Sequence, residues 1–222
     1  MKQFLLIPLI LLSTQVFADP IEREWAPYRK LAEAIKLDKF AAAPLRERDK
    51  VKLSAVLTPA NKAIKAEDIV LTLVDGGAKH SFRVDAQHRV ELPFNQKWFD
   101  NNALLMINQA KGEKMSISFS LDALLPAGEA WPYASLMGSV AQANDLIKSQ
   151  AGMMSLLVPK IKSVALRFDH PAQLKIAAKS GVRVLATDAK NTIWLKPDDA
   201  LMQENPLMTP SERPRAADLE ND

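Results

Sequence analysis

The sequence predicts an α+β protein with two β-rich, sandwich-like lobes, an N-terminal helix and a central amphipathic helix. Three observations lead to this prediction. Apolar residues recur every three or four positions in residues 21–43 and 132–151, as in helices with one buried face. Elsewhere they alternate with polar residues, as in strands. A segment near residue 85 is also echoed about a hundred residues later. We therefore expect a first lobe over 19–128, a connecting helix over 129–152 and a second lobe over 153–210.

The first eighteen residues, MKQFLLIPLILLSTQVFA, have the layout of a secretory signal. One charge at Lys2 precedes the apolar run from Phe4 to Leu12, and Ala18 lies just before the expected cleavage at Asp19. The alternative is an uncleaved anchor, but this run is much shorter than the roughly 20 residues that span a bilayer. We therefore expect a mature chain without a transmembrane segment, located in the periplasm or outside the cell.

Composition argues against some classes of function. The chain has 29 basic and 26 acidic side chains, which gives a formal charge of +3 at pH 7 spread along its length. So small a charge gives no electrostatic footprint for nucleic acid, and we expect no nucleic-acid partner. Cysteine is absent, so no disulfide and no thiolate ligand is available. At 222 residues, burial of apolar side chains is sufficient to hold such a fold.

The N-terminal helix is predicted from apolar residues spaced by four, three, three and four, and Pro27 must lie in a first turn or break the segment in two. After Pro44 the period changes to two, which indicates strands. Asp75-Gly76-Gly77 indicates a hairpin turn between two of them. The helical stripe is formed by Ile21, Trp25, Tyr28, Leu31 and Ile35, and strands are expected around residues 51–57, 69–74, 82–94 and 115–121.

The central helix is predicted from an apolar stripe that begins at Tyr133 and ends near Gly152, a residue suited to terminating a helix. Residues 211–222 are rich in proline and charge and have no periodic apolar pattern, so we expect a disordered tail. Between these segments, strands are expected around residues 164–168, 174–176, 182–184 and 193–195.

Residues 84–108 and 187–211 align without gaps, and both contain a turn at Asp-Ala, a short strand, a polar helical turn and Asn-x-Leu. This shared context favours a weak internal duplication. The alternative is that Asp-Ala turns and asparagines before strands are common solutions to local geometry. The identical pairs are Asp85 with Asp188, Ala86 with Ala189, Leu92 with Leu195, Asn102 with Asn205 and Leu104 with Leu207.

An aromatic and amide cluster is one candidate binding site. Trp98, Phe99, Asn101 and Asn102 lie close together in the sequence. An indole ring next to amides can stack on and hydrogen-bond a sugar, or hold a protein partner. The alternative is that the rings close the end of a sandwich while the amides cap a turn.

The segment after the central helix is a second candidate. Met153, Met154, Leu156 and Leu157 bring flexible apolar side chains together, which suits an adaptable contact surface. A buried strand or a hinge between the lobes is the alternative for this segment.

Catalytic signatures are missing from the sequence. His80 and His88 bracket a predicted strand with Asp85 between them, but there is no HExxH spacing and no nucleophile elbow. We therefore predict no catalytic residue, no metal and no cofactor. No family resemblance covers enough of the chain for a residue's role to be carried over.

The functional hypothesis is a non-enzymatic binding or interaction module of the cell envelope. It would hold a protein partner through a sheet face, an edge strand or the Met-rich segment. One alternative is a periplasmic carrier of a lipid or another apolar small molecule. Another is a hydrolase with an unrecognised site around His80, Asp85 and His88.

Overall fold

The computed structural model of the protein describes residues 22–151 and 159–222, and these form a mixed α+β fold with antiparallel sheets. The helices are α1 Tyr28–Ala34, α2 Leu37–Ala42, α3 Gln96–Asp100, α4 Tyr133–Ala151 and α5 Asp199–Glu204. The strands are β1 Arg23–Pro27, β2 Val51–Pro59, β3 Val70–Asp75, β4 Ala78–Arg83, β5 Arg89–Val90, β6 Leu104–Ile107, β7 Met115–Ala123, β8 Trp131–Pro132, β9 Ser163–Arg167, β10 Gln173–Ala178, β11 Gly181–Ala186, β12 Thr192–Leu195, β13 Leu207–Pro210 and β14 Ala216–Glu220.

The strands form three sheets. A first four-stranded sheet has the order β1-β6-β3-β4, and a second has the order β8-β13-β10-β11. The third has six strands in the order β5-β2-β7-β14-β9-β12, so it takes three strands from each half of the chain. Its two halves meet where β7 pairs with β14 at Asp122 and Asp218. We call this position the seam.

The N-terminal segment differs from the predicted single helix over 21–43. Arg23–Pro27 is a strand that pairs with β6, and the helix begins only at Tyr28. Pro27 has ψ of 136°, an extended conformation, and proline has no N–H to continue a helix in the N-terminal direction. A second break occurs at Lys36, whose φ of 61° is left-handed.

Two hydrophobic cores lie between the sheets and helices, and α4 contributes to both. Leu136 and Met137, near the start of α4, lie in the second core, whereas Ala143 and Leu146 lie in the first. Fully burying one leucine contributes roughly 1.5–3 kcal/mol, so α4 couples the two halves energetically. Other fully buried side chains are Tyr28, Leu57, Leu73 and Leu105 in the first core, and Trp131, Tyr133, Phe168 and Leu174 in the second.

The prediction of a disordered tail over 211–222 is wrong. Residues Ala216–Glu220 form β14, which lies inside the six-stranded sheet between β9 and β7. Only Ala217 and Leu219 of this strand contact the cores, which is too few to give a recognisable alternation. The acidic residues of the strand bind arginines instead of water, so a charge-rich sequence is compatible here with an interior strand.

The same order of elements occurs in both halves: a strand, a helical segment, four strands, a helix and two strands. The orders β1-β6-β3-β4 and β8-β13-β10-β11 correspond strand by strand, as do the two halves of the six-stranded sheet. Local geometry also agrees. His88 and Asn191 have left-handed φ of 61° and 54°, and Asn102 and Asn205 both have φ of 52°.

Two buried tyrosines make the same hydrogen bonds at corresponding places. Tyr28 and Tyr133 each begin a helix and are each almost fully buried. Each hydroxyl donates to one carbonyl and accepts from one backbone N–H in the segment before the last helix of its half, which is α3 in the first half and α5 in the second. The bonds are Tyr28 to Pro93 at 2.7 Å, Asn95 to Tyr28 at 3.2 Å, Tyr133 to Lys196 at 3.1 Å and Asp198 to Tyr133 at 3.2 Å.

Candidate functional site

The outer face of the second four-stranded sheet carries a row of exposed apolar side chains. Ala177 lies opposite both Val182 and Leu207, and Leu207 lies opposite Pro132, so the row crosses all four strands. Val182 is 58% exposed and Leu207 is 54% exposed. The inner face of the same sheet supplies the second core. We call Val182, Ala177, Leu207 and Pro132 the apolar row.

Strand β11 is the outer edge of this sheet and has no second strand partner among the described residues. Its sequence, GVRVLA, contains one charged residue, Arg183, and no proline. Val184 is 58% exposed and lies on the same face as the apolar row. Natural edge strands are normally protected by charges, prolines or bulges, so an apolar edge with a single charge, Arg183, is weakly protected for a surface without a partner.

The corresponding face of the first half is protected. The row that matches the apolar row contains Lys79, Val74, Leu104 and Pro27, so a lysine occupies the place of Val182. Glu22 lies on this face, where its carboxylate binds Lys79 at 3.1 Å and accepts from the Thr72 hydroxyl at 2.8 Å. These bonds hold the pKa of Glu22 below its usual value, with the Thr72 bond as the largest cause. Edge strand β4 also contains Lys79 and Arg83.

The seam of the six-stranded sheet carries a network of charges on its polar face. Arg89 binds Asp218 at 2.8 Å and Asp122 at 3.2 Å, although β5 lies two strands away from β7. Arg167 binds Asp218 at 2.7 Å and Glu220 at 3.2 Å. The Asp218 carboxylate is therefore shared by one arginine from each half, which joins the two halves through a partly buried ion-pair network.

Burial and charge move the pKa values at the seam in different directions. Burial raises the pKa of Asp122, and the Arg89 charge and the Ser120 hydroxyl only partly oppose this effect. Asp218 is also partly buried, but hydrogen bonds from Arg89 and Arg167 outweigh burial and lower its pKa. Oδ2 of Asp122 is buried and has no hydrogen-bond partner among the described residues. The network thus contains one carboxylate that favours ionisation and one that resists it.

The aromatic and amide cluster is divided between the interior and the surface. Trp98 is half-buried, and its ring lies 5.9 Å from the Tyr28 ring, centroid to centroid. Phe99 is half-buried below the Arg29 guanidinium, which lies 4.9 Å from the ring centroid. The exposed amides have local contacts: Asn101 donates to Asp75 at 3.4 Å, and Asn102 occupies the left-handed position before β6.

The Met-rich candidate residues, Met153, Met154, Leu156 and Leu157, lie outside the described residues, and their role as a contact surface stays a prediction.

The side chains of the three residues in the hydrolase alternative do not bind one another, although the His88 N–H donates to the Asp85 carbonyl at 2.8 Å. Asp85 accepts hydrogen bonds from the Gln87 and Arg89 backbone within its own turn, and its second oxygen binds the Arg89 side chain at 2.9 Å. The His80 ring lies 4.9 Å from that of Trp98. His88 occupies the left-handed turn position with its Nε2 buried. Over residues 22–151 and 159–222, no three potential metal-ligating side chains cluster together.

Sequence reasoning identified two of the four strands of the apolar row, around residues 174–176 and 182–184, but not the row itself. Val182 and Val184 alternate with polar neighbours, which indicates a strand with one buried face. The structure places these valines on the exposed face, while Leu174 and Ile176 of β10 fill the core. The sequence did contain an indication that β11 is an edge strand, because it lies between a hairpin turn and a polar loop.

Residues 49–168 match a family model described as a protein of unknown function, DUF2987. The match covers more than half of the chain, so the chain belongs to this family. It extends from just before β2 to just after β9, and it therefore includes Arg89, Asp122 and Arg167 of the seam. No curated protein and no solved structure matches the chain. Within the described part of the chain, no helix has the length and apolar character needed to cross a bilayer.

Proposed function

We propose that this DUF2987 protein is a non-enzymatic binding module of the cell envelope that holds a protein partner on its second four-stranded sheet. The observation that carries this proposal is the apolar row, in which Val182 and Leu207 are each more than half exposed. Scattered apolar residues are normal on a surface, whereas a row in register across a sheet forms a contiguous patch. Such patches on soluble proteins are typical of contact sites for other proteins.

An extended partner segment would add to the sheet beside β11. Main-chain hydrogen bonds along the free edge would supply affinity, and side chains of the added strand would contact Val182 and Val184 on the outer face. Added strands require an edge without competing charge, and β11 carries only Arg183. Arg183 lies 3.4 Å from Asp198, so its charge is partly compensated within the protein.

We further propose that the two halves are copies of one sandwich-like module and that they have diverged at this face. The repeated element order, the matching sheet orders and the paired tyrosines support a duplication. Each core contains inner side chains from one four-stranded sheet and from the six-stranded sheet, and this supports a sandwich-like packing. In the first copy Lys79 and Glu22 carry charges on this face, whereas in the second copy Val182 stands at the position of Lys79 and the charge on the face is Lys175, opposite Val184.

We also propose that the protein is exported and that residues 1–18 are removed. The support is the charged start, the short apolar run and the small residue at Ala18. Intact-mass measurement of the protein recovered from the envelope of its own cells tests this step. A mass that begins at Asp19 is the expected result, and retention of Met1 in a cytosolic fraction would contradict it.

Site-specific photo-cross-linking in those cells tests the binding proposal. A photoreactive residue at position 184 should give a discrete adduct with one envelope protein. The same residue at position 81, on the protected face of the first half, should give none. Equal adducts at both positions, or none at position 184, would count against the proposal. An adduct between two copies of the chain would show instead that this face binds a second copy of the protein.

A charge substitution on β11 provides a second test of the binding proposal. Val182→Lys should abolish the adduct formed at position 184, because it gives the edge the protection that Lys79 gives β4. Since Val182 is 58% exposed, the substitution should leave the free energy of unfolding within about 0.5 kcal/mol. Ser81→Lys is the matched control and should leave the adduct unchanged.

A further inference from the structure

A groove opens beside the edge of the six-stranded sheet in the first half and is independent of the proposed protein-binding face. It lies between α2, the start of β2 and the segment Glu91–Phe94, and its volume is about 570 Å³. This volume falls within the range of ordinary small-molecule sites. Side chains of Leu37, Phe40, Leu53 and Leu92 line it.

The groove exists because the two halves differ in strand pairing. In the second half β12 pairs with β9 at four positions, and the last of these pairs is Leu195 opposite Val164. In the first half β5 pairs with β2 only at Ala55 and Val56. Leu92, which matches Leu195, therefore separates from β2 where its counterpart is paired. The first half therefore has two paired positions fewer than the second, and a gap lined by apolar side chains lies where those pairs would be.

Arg48 supplies a cation at this gap. Its guanidinium lies 5.5 Å from the Phe40 ring centroid, and it donates to the Ala43 carbonyl at 3.0 Å and the Ala41 carbonyl at 3.4 Å. No carboxylate among the described residues forms an ion pair with it. Lys52, which also lines the groove, pairs with Glu91. The groove thus combines apolar side chains with two cations, of which Arg48 has no carboxylate partner in the described part of the chain.

We propose that this groove binds an amphiphile with a single acyl chain and a carboxylate head group. The chain would lie against the accessible sides of Ala41, Pro93 and Phe94, above the buried leucines, and the carboxylate would bind the Arg48 guanidinium. Charge-assisted bonds from arginine to a carboxylate are about twice as strong as neutral ones, so the acid is preferred over an uncharged analogue. Of the described residues that line the groove, Glu91 alone is acidic, and its carboxylate forms an ion pair with Lys52.

Calorimetric titration of the full chain with dodecanoate and with dodecanol, both below their micelle or solubility limits, tests the proposal. The parent should bind dodecanoate at least tenfold more tightly than dodecanol. Arg48→Gln should remove this preference, and Arg46→Gln, which changes an exposed arginine nearby, should keep it. An unchanged preference in Arg48→Gln, or no binding of dodecanoate by the parent, overturns the proposal.

Two further variants locate the site. Ala41→Trp fills the groove and should abolish binding of both ligands, while its circular dichroism stays that of the parent. Glu91→Gln removes a negative charge from the groove lining and leaves Lys52 without its ion-pair partner, so it should tighten dodecanoate binding several-fold without affecting dodecanol. This second variant needs no bulky substitution, so it tests the site even where Ala41→Trp disturbs folding. Unchanged dodecanoate affinity in Glu91→Gln would contradict the assigned location. Because Val182→Lys lies outside the groove, it should leave both affinities unchanged.

Discussion

Asp122 and Asp218 lie directly opposite each other on β7 and β14, and the Arg89 guanidinium binds both carboxylates. This pair is the position at which the two halves of the six-stranded sheet are joined in register. Two carboxylates side by side repel each other unless a cation is shared between them. The joint between the halves therefore depends on a side chain from β5, at the far edge of the first half.

Arg89→Met should strongly destabilise the protein. It leaves Asp122, whose side chain is 3% exposed, facing Asp218 without a shared cation. Removing one partner of a buried pair typically lowers the free energy of unfolding by about 3–5 kcal/mol. Urea unfolding followed by circular dichroism measures this change. The control is Arg83→Met on exposed strand β4, and an equal loss in both variants would show that the seam has no special role.

Asp122→Asn should change how stability depends on pH. Burial raises the pKa of Asp122 in the folded protein above its unfolded value of about 3.9. A carboxyl with a raised pKa stabilises the fold while it is protonated, and this contribution is lost as pH rises through the folded pKa. The variant lacks that loss, so its stability relative to the parent should increase between about pH 4 and pH 7. Unfolding curves at both pH values test this, with Glu129→Gln as the exposed control. A constant difference across that range would contradict the assigned burial effect.

Tyr28→Phe and Tyr133→Phe should have similar effects. Each removes a hydroxyl that donates one hydrogen bond and accepts another in a buried setting. Leaving the backbone partners unsatisfied should lower the free energy of unfolding by about 1–3 kcal/mol in each variant. Chemical denaturation of the two variants tests the equivalence. A large effect of one substitution with no effect of the other would mean that only one of these bonding arrangements is needed.

Removing residues 216–222 should prevent folding. The truncation deletes β14 from between β9 and β7, and it leaves two interior strands with open edges. Stopping after residue 220 instead removes only Asn221 and Asp222, which are exposed and lie beyond the strand. That shorter deletion should retain a cooperative thermal transition, whereas the longer one should give none. A folded product lacking β14 would show that the two halves are stable separately.

Regular alternation and turn chemistry allowed much of the fold to be predicted. Met115, Ile117 and Leu121 alternate with serines over residues 115–121, and the nine-residue strand β7 includes that range. Gly76 and Gly77 both have positive φ in the β3–β4 hairpin, as the Asp-Gly-Gly signal predicts. Helix α4 follows the stripe that begins at Tyr133. In these segments local propensity and burial favour the same structure, so one sequence is sufficient to predict them.

Elements determined by distant partners were not predictable. Trp131–Pro132 is only two residues long and is a strand because it pairs with β13. Ala216–Glu220 depends on arginines far away in sequence, Arg89 and Arg167. The exposure of Val182 likewise depends on which face of β10 meets the core, and this depends on tertiary packing. The apolar row and the groove are therefore visible only in the folded chain.

Strand β14 follows all the other described strands in the chain, yet it is an interior strand of the six-stranded sheet, and this has a consequence for the order of folding. Until residue 220 has left the ribosome, β9 and β7 cannot both be paired across the centre, and the charges of Arg89 and Arg167 have no Asp218 to bind. Contacts between segments distant in sequence form late, because chain closure has to precede them. A nascent chain should therefore leave the centre of this sheet open until residue 220 has been synthesised, and the two halves should be joined only after that.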